Sequence, residues 1–126
     1  MFLSDKFIAK TEKIIKKNRE KPVDQQIALI RDSFFSAASA VPEECRHLLF
    51  NSLVEQYHDE KQELTFLIRA LGDVIDLFRS EYDTENDPLP EETWDAIREC
   101  VRRCAAEMDM TVVSYIMKLM VSAHRI

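Results

Sequence analysis

Apolar residues in this chain recur at intervals of three and four from one end to the other, and apolar–polar alternation never persists for more than four residues. At about 100° per residue, that spacing puts the apolar side chains on one face of an α-helix, whereas a half-buried strand needs a period of two. The pattern therefore predicts an all-α fold. A length of 126 residues suits one domain with a single core. The only glycine, Gly72, removes a large block of chemistry. Phosphate-cradling loops, dinucleotide fingerprints and nucleophile elbows all need several backbone positions without a Cβ.

Prolines and short acidic stretches divide the pattern into five or six helices. Helix 1 is expected over residues 4–20, with Ser4 as its N-cap and Leu3, Phe7, Ile14 and Ile15 facing inward. Helix 2 opens at Pro22, and Val23, Ile27, Ile30, Phe34, Ala37, Ala38 and Val41 share its stripe. Helix 3 opens at Val41-Pro42-Glu43-Glu44 and faces Leu49, Phe50, Leu53, Val54 and Tyr57 inward. Proline suits a first helical position because its missing N–H is not needed there, and glutamates there meet the positive end of the helix dipole.

Helix 4, spanning about 61–81, is the most apolar of the middle set and is expected to be central; Leu64, Leu67, Ile68, Leu71, Val74, Ile75 and Phe78 form its stripe. Gly72 lies at the stripe's edge. There it costs roughly 1 kcal/mol relative to alanine, so a close helix crossing is expected. Residues 82–90 read as an acidic loop. Helix 5 follows, burying Trp94, Ile97, Val101, Cys104 and Met108. An unbroken continuation would rotate the next stripe (Val113, Ile116, Met117, Met120) by roughly 120°. A break near Asp109, with that residue as N-cap, gives helix 6. Short connections imply a compact antiparallel helical bundle forming one domain over residues 1–126.

Metal and catalytic sites find little support. Two E-x-x-H tetrapeptides, Glu44 to His47 and Glu55 to His58, use residue types found in di-metal bundles. Both lie on helix 3 with histidines eleven residues apart. At about 1.5 Å per residue they are roughly 16 Å apart, too far for one site. Cys100 and Cys104, one turn apart, could share a zinc ion with Cys45 and His47. On a regular helix, however, Cys45 and His47 diverge by roughly 160°. Asp83-x-Glu85-x-Asp87 opens like a calcium loop, but Pro88 and Trp94 stand where glycine and glutamate belong. No nucleophile has an adjacent base, so the reading leans away from an enzyme, and no cofactor is expected. The odd cysteine count argues against a disulfide framework and for reduced thiols. With no secretory h-region at the start, it points to a cytoplasmic protein.

Charge is divided unevenly. Residues 1–21 carry seven Lys+Arg and three Asp+Glu, giving +4; the remainder carries ten and twenty, giving −10. Lys6, Lys10, Lys13 and Lys17 line up on one face of helix 1. Helix 1 can pack on its own core with lysines against acidic neighbours, dock on another protomer, or lie on an anionic membrane surface. Nucleic acid is disfavoured, because the acidic remainder repels it and no aromatic residues interleave with the lysines. Apolar surface is in surplus elsewhere: Leu29 and Phe35 lie off their helix's stripe, and Met117 and Met120 belong to a late methionine cluster. The expectation is a protein-binding module, an adaptor, regulator or chaperone-like partner, homodimeric through helices 5 and 6. A metal-binding bundle or metal-dependent enzyme is the alternative.

Overall fold

Six α-helices and one 3-10 turn make up the computed structural model, which describes residues 4–59, 63–85 and 89–124. In chain order they are α1 (Ser4–Lys17), α2 (Val23–Ala37), α3 (Glu43–Asp59), α4 (Leu64–Phe78), α5 (Glu91–Cys104) and α6 (Met110–Ser122). No strand occurs among the described residues. The helices form a compact all-α bundle in which α1 packs on α4 and α2, and α3 packs on α5 and α4.

The helix starts at Pro22 and Pro42 differ from expectation by one residue, and the central helix, expected over about 61–81, runs Leu64–Phe78. Pro22 and Pro90 are N-caps, with ψ of 149° and 154°, and Pro42 likewise precedes α3. An N-cap keeps a non-helical ψ while its carbonyl already accepts the first intrahelical bond. Pro22, Pro42 and Pro90 do this for the N–H groups of Gln26, Arg46 and Trp94, at 3.0–3.1 Å. The stripe of α2 consequently starts a turn late: Val23 is exposed, and burial begins at Gln26 and Ile27. At the other end of the chain the predicted break is present. The residues 105–107 turn ends α5, and the Asp109 carboxylate accepts the Thr111 N–H at 2.8 Å to start α6.

Helix α4 is the centre. Leu67, Ile68, Leu71, Val74, Ile75, Leu77 and Phe78 are all buried, and so are Gly72 and Asp76. Gly72 faces α1: a Cβ built there would lie 3.0 Å from Ile8 Cδ1 and 3.3 Å from Ser4 Cβ. The expected helix crossing is therefore the α1–α4 contact. Helix 1 packs within its own chain, with Phe7 and Thr11 buried and the Thr11 and Ser33 hydroxyls hydrogen-bonded at 2.7 Å.

Ser4 does not cap its own helix. Its N–H donates to Asp76 Oδ1 at 3.0 Å and its hydroxyl to Oδ2 at 2.6 Å. The carboxylate of α4 thus does the capping, placing a negative group at the positive end of α1. Burial pushes the Asp76 carboxyl above the ordinary aspartate value of 3.8; the two Ser4 bonds pull it back in part, and Glu81 and Asp5 add like-charge repulsion.

The cysteines correct the odd-count argument. Cys45 of α3 and Cys100 of α5 form a disulfide with a Cα–Cα distance of 5.2 Å, leaving Cys104 free and buried. Cysteine parity is silent on which helices meet. Here α3 lies along α5, and the packing sets Cys45, in the first turn of α3, against Cys100, near the end of α5, with both buried. The Arg103–Glu44 ion pair joins the same two helices at the surface.

Two outcomes are expected. Asp76→Ala leaves the buried Ser4 N–H and hydroxyl without acceptors, costing about 1–3 kcal/mol in urea unfolding. Asp76→Asn costs much less, since the amide can accept from Ser4 N–H and donate to its hydroxyl. Because the folded pKa is raised, the native state holds the Asp76 proton more tightly. Wild type therefore loses stability relative to Asp76→Asn as pH rises from 3.8 through the raised value. Equal slopes for the two proteins across that window would refute this assignment. Separately, the disulfide spans a sequence separation of 55. Its reduction, or Cys45→Ser with Cys100→Ser, should lower stability by about 2–5 kcal/mol. Non-reducing intact-mass measurement and thermal melts with and without reductant check it.

Candidate functional site

The sequence offered three places for function: a cysteine–histidine metal set, the basic face of helix 1 and the surplus apolar surface. The structure disperses the first. Cys45 and Cys100 are joined to each other, so neither presents a thiolate to zinc. Burial pushes the Cys104 thiol up, and Glu44 and Glu107 push it further, which keeps it protonated and unreactive. His47 is exposed and packs edge-on against Phe35 with ring centroids 4.6 Å apart. His58 lies against Tyr57, and Glu44 is held by Arg103. Among the described residues, no group of three or more His, Cys, Asp or Glu side chains is placed to hold a metal ion. Asp87 and Pro88 of the calcium-like stretch lie outside the described residues, as does Leu3 of the helix 1 stripe.

The lysines divide into two pairs. All four are exposed on α1, but only Lys6 and Lys10 line a cleft, shared with Phe7, Ser33, Ser36, Ala37, Ile75 and Arg79. Lys13 and Lys17 lie further along the helix, outside it. Ser33, Ser36 and Arg79 were not singled out from the sequence. They sit on α2 and just after α4, and only the tertiary packing brings them to α1.

The apolar candidates also separate. Leu29 is half-buried on α2, and Phe35 packs against Phe50 and His47. Met120 is 1% exposed and belongs to the core with Ile116, so it offers nothing to a partner. Helix α5 presents no apolar outer face: Trp94, Ile97, Val101 and Cys104 are buried. Its outer side carries the Arg98–Asp95 and Arg102–Glu99 ion pairs.

Helix α6 is different. Met110 is 70% exposed, Met117 40% and Val121 59%. With half-buried Val113 they follow 3-4-4 spacing, so the four share one stripe. At about 100° per residue this stripe is rotated by roughly 85° from the core-facing Ile116 and Met120. The helix thus has two apolar arcs, one used by its own core and one facing outward. A shallow groove of about 600 Å³ runs along the outer arc, lined by Val113, Ser114, Met117, Lys118, Val121 and Ser122. Lys118 is the only charged residue between Met110 and Ser122. Met110 and Val121 become legible as partners of Met117 once the two arcs are separated. The signal is that α6 has more apolar residues than one core-facing arc can hold.

What this arrangement offers is an apolar surface with one charged side chain, Lys118, on α6, and a cationic cleft between α1, α2 and the end of α4. Comparison with protein families, with curated proteins and with solved structures returns no match for the chain.

Proposed function

We propose that this chain is a non-enzymatic protein-interaction module that pairs with a second copy of itself through α6. The outward stripe of Met110, Met117 and Val121, edged by Val113 where it meets the core, carries the reading. Helical stripes at three- and four-residue spacing are the seam by which helices interdigitate. Methionine adds a flexible, polarizable contact. A two-fold pairing sets the same patch against itself, and this patch suits that arrangement because it is nearly free of charge. A partner chosen by salt bridges would find only Lys118 on α6.

An adaptor or regulatory role follows from binding without turnover. The described helices include none long and apolar enough to cross a membrane. The cytoplasmic location expected from three free thiols loses that support now that two of them are joined, since disulfides persist mainly in oxidising compartments.

Light scattering coupled to size-exclusion, with sedimentation velocity over a dilution series, tests the pairing. Wild type should move from dimer to monomer on dilution. Met117→Glu with Val121→Glu sets like charges face to face across the two-fold and should weaken pairing at least roughly tenfold. Both side chains are exposed, so the helical circular dichroism and melting temperature of the variant monomer should be retained. A wild-type chain that stays monomeric at every concentration overturns the reading.

A further inference from the structure

We propose that the cleft between α1, α2 and the end of α4 binds the phosphate group of a small organic phosphate. The cleft encloses about 410 Å³, within the roughly 300–1,000 Å³ range of small-molecule sites. Three cationic side chains converge on it from two directions: Lys6 and Lys10, one turn apart on α1, and Arg79, at the C-cap of α4. Ser33 and Ser36 of α2 bring hydroxyl groups to the same wall.

Charge balance decides what such a site prefers. Helices α2 and α4 both end beside it, each contributing about half a negative charge through its last carbonyls. Arg79 answers part of this, donating to Ala37 O and to Ser39 Oγ, both at 3.4 Å. Among the described residues, no salt bridge to a carboxylate involves Lys6, Lys10 or Arg79. Three full positive charges against two half charges leave about +2 in the cleft. That matches a phosphomonoester dianion better than a single carboxylate. The net charge of −6 on the whole chain matters little at this range, because charges more than about 8 Å apart are largely screened at physiological salt.

The floor of the cleft is apolar. Phe7 and Ile75 are buried beneath it and Ala37 is half-buried at its side. Inorganic phosphate alone would leave this surface wet, whereas the organic body of an ester would cover it. Ser33 already shares a hydrogen bond with Thr11 at 2.7 Å, which fixes its hydroxyl in the wall. Ser36 is exposed and can turn toward an incoming phosphate oxygen.

Amide chemical-shift titration of the full chain at physiological salt tests the site, with phenyl phosphate and inorganic phosphate as probes. Phenyl phosphate should bind saturably and shift residues 6, 10, 33, 36 and 79, and inorganic phosphate should shift the same set more weakly. Lys6→Gln with Lys10→Gln, and Arg79→Gln alone, should each weaken phenyl phosphate binding by roughly tenfold or more. Lys13→Gln with Lys17→Gln should leave it unchanged. The four lysine side chains are exposed, so their variants should keep the wild-type melting temperature; Arg79→Gln gives up the bonds to Ala37 and Ser39, and its melting temperature and amide spectrum, measured alongside, should show a folded chain. Absence of saturable binding overturns the proposal, as does equal loss from the Lys13 and Lys17 substitutions. Co-sedimentation with phosphatidylserine vesicles separates a lipid surface from a soluble ligand. Pelleting that depends equally on all four lysines, without phenyl phosphate binding, would make the basic face a membrane contact and overturn the cleft.

Discussion

Between Gly72 and Ile8 the backbone of α4 and a side chain of α1 approach as closely as an absent Cβ permits, and this contact sets the geometry of one half of the bundle. A methyl group at position 72 would push against Ile8 and Ser4, both on the buried side of α1. Because α1 lies this close, Ser4 reaches the Asp76 carboxylate one turn further along α4. The same approach brings Phe7 to within 6.3 Å of the Phe34 ring on α2, and Thr11 to Ser33. The cationic cleft is a by-product of that placement, opening where the lysine face of α1 passes the ends of α2 and α4. A glycine that looked like a cost in an isolated helix is the condition for a three-helix corner.

The second half is organised by a covalent constraint. The Cys45–Cys100 bond fixes α3 against α5 from inside, while Trp94 and Ile97 of α5 and Leu49 and Leu53 of α3 lie buried in the shared core. Tyr82 bridges toward α6: its ring packs on Trp94 at 6.5 Å, and its carbonyl accepts the Tyr115 hydroxyl at 2.7 Å. Helix α6 packs on α4, buries Ile116 and Met120 in the core, and turns its other apolar arc outward.

Local signals in the sequence carried most of the architecture. Helical spacing located the elements, the rotated stripe placed the break at Asp109, and Gly72 marked a crossing, because each depends on residues a few positions apart. Long-range pairings were not legible. Cys45 and Cys100 are 55 residues apart, and nothing local says that they face each other. Ser4 read as a cap for its own helix because its partner is 72 residues away. Asp76 did leave a trace, as a lone carboxylate flanked by Val74, Ile75, Leu77 and Phe78, where a charge needs a reason. Met120 faces the core instead of a partner for a related reason: periodicity gives α6 more apolar residues than one arc holds without saying which of them face inward. The basic face divides in the same way, since the chain's own order cannot place Arg79 beside Lys6.

The disulfide has one more consequence. Residues 45–100 form a closed covalent ring that contains the whole of α4, the central helix, while α1, α2 and α6 hang outside it. A protease that cuts once inside the ring leaves a single molecule, its two pieces still tethered through Cys45 and Cys100. A cut in the α1–α2 turn or before α6 releases a terminal piece held only by packing. Damage to this protein is therefore unequal along the chain: nicks around the central helix stay masked until a reductant arrives, whereas nicks near either terminus show at once.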